Sequence, residues 1–260
     1  MFHFNDIHTR SRWAWPYIIF LFCFVVMPLV MIVIYAFEDN TGAFTLNNFA
    51  RFFTRSEAIN TFFYSLGIAF YTTLVCFLLG FPAAYFMGME EYKVSTVLAM
   101  LFILPMSFNS LLRTIATVEV FSLANIPLGE GTLMFGMVYN FLPFMIYPIY
   151  NTIQKMDKSV IEAARDLGAN RKEVFIKIIF PLSMPGVYSG IAMVFMPTVS
   201  TFAITELLTR NKIKLFGSII QENIQSGVLL NYGAALSFIM LVFILLTNLF
   251  NKTEGVNDEK

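Results

Sequence analysis

Charge and cysteine are scarce in this 260-residue chain, and histidine is almost absent. Only 13% of the residues are charged, and 17 Lys and Arg balance 17 Asp and Glu. Net charge is zero, so bulk charge points to no class of partner, and no nucleic acid is expected. The two cysteines, Cys23 and Cys76, both fall inside apolar runs, which suggests neither a disulfide framework nor a metal site. His3 and His8 are the only histidines and share the N-terminal tail, where they read as solvated. No G-x-x-x-x-G-K-S/T phosphate loop occurs, so the chain is not expected to bind ATP in that manner. Neither H-E-x-x-H nor G-x-S-x-G is present, and an intramembrane enzyme lacks a catalytic set. No cofactor of the chain's own is expected. No soluble ligand-binding domain and no low-complexity linker can be recognised.

What is abundant is apolar. Hydrophobic residues make up 57% of the chain, and thirty are Phe, which suits a lipid-facing surface and not a soluble globule. Six apolar segments are predicted near 13–37, 61–88, 95–121, 132–154, 182–208 and 232–250. Each is long enough to cross a bilayer, for which roughly 20 helical residues suffice. The segment from Trp13 to Phe37 is too long for a signal-peptide core and has no small-residue cleavage site, so it reads as a retained membrane helix. The whole of 1–260 reads as one transmembrane domain. Its longest connections are 38–60, 155–181 and 209–231. Eight of the ten prolines fall within or at the edge of the spans (Pro16, Pro28, Pro82, Pro105, Pro143, Pro148, Pro185, Pro197). They are either hinges or static bends.

Orientation follows from the positive charges. With the N-terminus inside, the cytosolic segments hold eleven: Arg10, Arg12, Lys93, Lys155, Lys158, Arg165, Arg171, Lys172, Lys177, Lys252 and Lys260. The outer loops hold five: Arg51, Arg55, Arg210, Lys212 and Lys214. Both termini and the connection 155–181 are therefore predicted to be cytosolic.

That connection is unusually well punctuated. Ser159-x-x-Glu162 reads as a capping box, in which hydroxyl and carboxylate each satisfy an orphan N–H. Gly168 can take the left-handed conformation that ends a helix. Asn170-x-x-Glu173 resembles a second cap, and Pro181 is expected to end the helix that this cap opens. Ala163 and Ala164 leave the first helix smooth enough for a partner to approach closely. Two short helices presented to another protein, or an amphipathic connector lying on the lipid surface, both fit this pattern.

Polar groups inside spans are costly and usually face a bundle interior or a cavity. On the fifth span Thr198, Thr201, Phe202, Thr205, Glu206 and Thr209 fall on one helical arc, roughly 140° wide at 100° per residue. Hydroxyls, an acid and an aromatic ring suit a path for an organic cation, the ring offering a cation–π face. On the third span Asn109, Ser110, Arg113, Thr114 and Thr117 share another arc. Glu119 lies off it and reads as an interfacial or inter-subunit contact. A buried pair between Glu206 and Arg113 is the competing reading. Tyr139, Tyr147 and Tyr150 on the fourth span either line the same cavity or serve as packing and belt residues.

The order Glu162-Ala163-Ala164, three residues, Gly168, nine residues, Ile178-Ile179-Phe180-Pro181 resembles the signature loop of ABC importer membrane subunits, with Phe180 where Leu is usual. Asn109 through Arg113, the run from Leu142 through Tyr150, and Asp157 through Gly186 are similar to the B-type permeases of spermidine/putrescine importers. The resemblance implies an all-α, six-helix fold of the type I importer permease kind. It implies ATPase coupling through Ser159, Glu162, Ala163, Ala164, Asp166, Leu167, Gly168 and Asn170, and an acidic residue at the place of Glu206. It further implies a second related permease, two ATPase subunits carrying ATP and Mg, an outer substrate-binding protein, and a prokaryotic plasma membrane. The implied activity is polyamine import by alternating access, the chain itself being no enzyme. The substrate pathway would use Glu206, Phe202, Thr201, Thr205, Asn109, Arg113 and Tyr139. A secondary transporter or channel for a small cationic solute, without ATPases, would instead predict inverted internal repeats. The halves 1–130 and 131–260 show no clear repeat.

Overall fold

The computed structural model describes residues 15–89 and 93–257; of residues 93–96 and 248–257 only the backbone is described. The expectations for His3, His8, Arg10, Arg12, Trp13 and Lys260 lie outside the described residues. Among the described residues five helices are long and apolar enough to cross a membrane, and a pair bent by 98° makes up to six if it is one broken span and not a re-entrant loop. The described helices are α1 (Trp15–Ala36), α2 (Asn47–Thr54), α3 (Ser56–Met89), α4 (Lys93–Ile103), α5 (Ser110–Leu123), α6 (Glu130–Gln154), α7 (Lys158–Asp166), α8 (Arg171–Ser200), α9 (Ala203–Thr209), α10 (Phe216–Gln225) and α11 (Leu230–Asn257).

Contacts divide the chain into two units, the smaller comprising residues 1–56 and 220–242. Within it α1 is apolar all round and almost wholly exposed, as a helix solvated by hydrocarbon would be. A π-turn over Phe22–Val26 widens α1 just ahead of Pro28, where a normal turn would clash with the proline ring. The C-terminal carbonyls of α1 are capped from α2. The Asn48 amide donates to Ala36 O at 3.1 Å and to Glu38 O at 2.9 Å. Asn231 donates to the same Glu38 carbonyl at 2.7 Å. Phe37 packs with Phe44, Phe49 and Phe238, and Arg51 and Arg55 each lie 5.7 Å from the Tyr232 ring centre.

The larger unit, 57–219 with 243–260, is built on α6. Leu133, Met137, Met145, Ile146 and Ile149 of this helix are fully buried. Its most extensive neighbour is α8, and the contact is close because Gly186 faces it. A Cβ at Gly186 would lie 2.8 Å from the Pro148 carbonyl, so the two backbones meet where only glycine fits.

Two predicted spans differ from what was expected. The third is not one helix: Val97–Ser107 and Ser110–Leu123 meet at 98°. Pro105 sits in a short 3₁₀ turn, Leu104–Ser107, and Asn109 starts a new helix by accepting from Leu111 N at 2.8 Å. The fifth begins earlier and ends earlier, as α8 runs continuously from Arg171 to Ser200. Pro181 does not stop it. A π-turn over Phe175–Ile179 immediately precedes Pro181 and accommodates the missing N–H and the ring. At its far end Thr201 is extended, and Gly217 approaches the Ser200 and Thr201 carbonyls too closely for any side chain. Thr205, Glu206 and Thr209 therefore belong to the separate helix α9, and the single arc expected through Thr198 and Glu206 does not form.

Candidate functional site

The connection between α6 and α8 is capped by hydrogen bonds at both turns. Helix α7 starts at Asp157, whose carboxylate accepts from Ser159 N at 2.9 Å. Ser159 is thus inside the helix and not its cap, and the expected Ser159–Glu162 capping box is replaced. Asp157 lies two residues ahead and offers an ionised oxygen to the same orphan N–H groups. Hydrogen bonds from Ser159 hold the exposed Asp157 carboxyl below the usual carboxylate range. This depressed value makes the cap's contribution complete above the ordinary carboxyl pKa and lost as pH falls through the lowered one. Asp157→Ala should therefore speed amide exchange at Ser159, whereas Glu162→Ala should leave it unchanged. Equal exchange in both variants would show that Asp157 does not hold the helix start.

Gly168 ends α7 at φ +88°. Gly168 N donates to Arg165 O at 2.9 Å, and Ala169 N donates to Ala164 O at 3.0 Å. This pair of bonds is the Schellman arrangement, which satisfies carbonyls the helix end would leave free. Asn170 then opens α8 with the expected reciprocal cap, Asn170 Oδ1 accepting from Glu173 N at 2.9 Å and Asn170 N donating to Glu173 Oε2 at 3.0 Å. An exposed pair, Lys177 to Glu173 at 3.6 Å, adds little energy.

Two stripes divide the surface of α7. Ile161 is buried with Val174 and Ile179 against Tyr85, Met89 and Met156, which fixes the loop to the ends of α3 and α6. Ala164 turns toward this cluster and of the two only Ala163 is exposed, so the expected Ala163–Ala164 face is split. The other stripe is Val160, Ala163 and Leu167, spaced i, i+3, i+7 along one helical face. Leu167 is 89% exposed and protrudes at the turn. Ser159, Glu162, Asp166, Gly168 and Asn170 are also at least partly exposed. Val160 is the member that inspection of the motif missed; its spacing from Leu167 could have found it.

The polar residues of the spans assemble only in part. A cavity of about 380 Å³ is lined by Ser110 and Arg113 of α5, Asn140 of α6, and Thr201 at the break after α8. Phe141, Phe144, Pro197 and Ile204 supply apolar wall. Arg113 and Thr201 were expected here. Asn140 was missed, although a lone Asn in the run Met137–Phe141 was a signal. It is 1% exposed and donates to Gly136 O at 2.9 Å and Thr114 Oγ1 at 3.2 Å. Asn109 serves as a helix cap instead. Phe202, Thr205 and Glu206 do not line the cavity. The pair expected between Arg113 and Glu206 does not form. The Arg113 Nη2 reaches the Asn140 carbonyl at 3.5 Å, and its Nε and Nη1 have no acceptor. Tyr139 stands beside the cavity, with the Arg113 guanidinium 5.9 Å from its ring centre. Tyr150 is buried packing and Tyr147 is part-exposed, outside the cavity lining. Glu119 is exposed.

Comparison with known proteins gives one answer. Residues 80–253 match the family described as binding-protein-dependent transport system inner membrane component. The chain is 33% identical over 246 residues to the spermidine/putrescine transport system permease protein PotB of Escherichia coli, covering 85% of this chain and 89% of that protein. It is 31% identical over 267 residues to PotB of Haemophilus influenzae, covering 94% and 91%. Among solved structures, a bacterial alginate ABC transporter in complex with an alginate pentasaccharide-bound periplasmic protein superposes at a TM-score of 0.73. Identity there is 13%, with 95% of this chain and 93% of that chain covered, so that likeness shows the fold alone. By family match, by identity and by fold, this chain is a bacterial inner-membrane permease subunit that belongs to the binding-protein-dependent transport system inner membrane components, of the PotB type.

Proposed function

We propose that this chain is one of two related permeases in an ATP-driven importer of polyamines, working with two ATPase subunits and an outer substrate-binding protein. ATP and magnesium would be held by the ATPase subunits. The names of the relatives support the substrate class. One observation carries the coupling: the exposed stripe Val160, Ala163 and Leu167 on a helix capped at both ends and anchored underneath. A rigid apolar knob suits transmission of a push or pull, because its fixed end moves α3, α6 and α8 with it. The loop 155–181 and both termini are read as cytosolic from the Lys and Arg count. Nothing favours a secondary transporter over this reading.

The test pairs uptake with topology. The chain is expressed with its partner subunits in cells lacking other polyamine uptake, and labelled spermidine accumulation should depend on ATP hydrolysis. A Ser159→Cys variant, free of Cys23 and Cys76, should resist a membrane-impermeant maleimide in intact cells and react after permeabilisation. Uptake that survives loss of the ATPase subunits would overturn the coupling. Labelling in intact cells would overturn the orientation.

A further inference from the structure

Arg113 poses a problem that the chain does not solve by itself. Its guanidinium has two buried nitrogens, Nε and Nη1, without an acceptor, and no carboxylate pairs with it among the described residues. Its supports are one long bond to the Asn140 carbonyl and the face of Tyr139. The Asn140 amide oxygen beside it is also buried and unpartnered. The cavity rim beside it is apolar: Phe108 and Leu111 line it and are both exposed. A cation in such a setting is costly, since hydrocarbon offers no acceptor. It is costlier still on a route for polycations, which an uncompensated arginine repels.

We infer that the Arg113 cavity receives a carboxylate side chain of the second permease subunit. This rests on the two-permease reading proposed above. Charge complementarity selects the occupant: a positive group in a cavity walled mostly by apolar side chains fits a protein surface bearing one acid among apolar residues. Arg113 lines the cavity half-exposed, so an entering carboxylate meets it directly. Rotation about its last torsions brings the unpartnered N–H groups to the acid. The unpaired Asn140 oxygen can accept from a water carried in with the acid. The ion pair keys the two permeases together and removes the positive charge from the cation route. The requirement is for a partner's acid because no acid among the described residues, Glu206 and Glu119 included, pairs with Arg113.

The experiment uses the whole complex, with variants Arg113→Lys, Arg113→Gln and Arg113→Glu. A water-soluble carbodiimide couples a carboxylate to a lysine amine and leaves guanidinium untouched. In the Arg113→Lys complex a branched peptide joining position 113 to an Asp or Glu of the second permease is expected, seen by mass spectrometry and absent from the Gln variant. Retention of the second permease on purification should fall in the order Lys, Gln, Glu, with at least a tenfold loss at Glu. Absence of the branched peptide from a complex whose two permeases still co-purify would overturn the inference, as would equal retention in all three variants. Failure of the native chain to retain any second permease would instead overturn the two-permease reading itself.

Discussion

Replacing Leu167 by Asp is expected to strip the ATPase subunits from the assembly while the permease stays folded. Leu167 is 89% exposed, so its side chain adds little packing within the chain. Burying a leucine side chain at an interface contributes about 1.5–3 kcal/mol. Removing that, and adding a charge that must be desolvated, places the variant among the larger interface effects, about 2 kcal/mol or more. Each 1.4 kcal/mol is a factor of ten, so retention should fall by about tenfold to a hundredfold. Val160→Asp, on the same stripe but further back along the helix, should act in the same direction and less strongly. Glu162→Gln, off that stripe, should change little. The measurement is the ratio of ATPase to permease after affinity purification, with thermal unfolding of the permease as control. Full retention in Leu167→Asp would show that this stripe is not where the engine docks.

The connection 155–181 was largely legible because its chemistry is local. A cap, a left-handed glycine and a second cap act over four or five residues, and Gly168 and Asn170 behave as their types require. The error at Ser159 was also local: two candidate caps stood two residues apart, and the ionised one captured the helix start. Five of the six expected spans were legible as single helices because length and hydropathy suffice for crossing. Their breaks were less so. Asn109 could have been read as a cap after Pro105, since both signals are in the sequence. The end of α8 at Ser200 could not, because it is accompanied by the backbone of Gly217 lying against the Ser200 carbonyl, a contact between distant segments. The extended Thr201 separates Glu206 from the hydroxyl stripe of Thr198. An arc drawn through 209 assumes a continuous helix, and every angle counted past residue 200 is lost where α8 breaks. Asn140 was overlooked for a related reason: its importance comes from meeting Arg113 and Thr201 across three elements, not from its own neighbours.

Gly168→Val should uncouple ATP hydrolysis from transport, and the structure makes this a clean test of backbone conformation. Gly168 sits at φ +88°, and a Cβ placed there meets nothing within 4 Å. Space is therefore not the obstacle; only the left-handed conformation is. An L-residue held there is strained by roughly 1–2 kcal/mol, and more when β-branched. The chain can relieve that strain by leaving the left-handed region, which breaks the two Schellman bonds from Gly168 N and Ala169 N. Leu167 is the residue just before the turn, so its direction changes with the turn, while Ile161 keeps the body of α7 anchored. The effect should be graded by residue type. Asn tolerates positive φ and should retain most activity, Ala should lie between, and Val should lose most uptake. Insertion should be normal throughout, since the substitution lies outside the membrane spans. The readouts are uptake and substrate-stimulated ATPase activity in the reconstituted complex. Loss of uptake in the order Asn, Ala, Val, with basal ATPase activity retained, is the expected signature of a turn that aims the docking knob. If Gly168→Val transports as well as the native chain, the loop tolerates re-aiming, and force must reach the spans by another route.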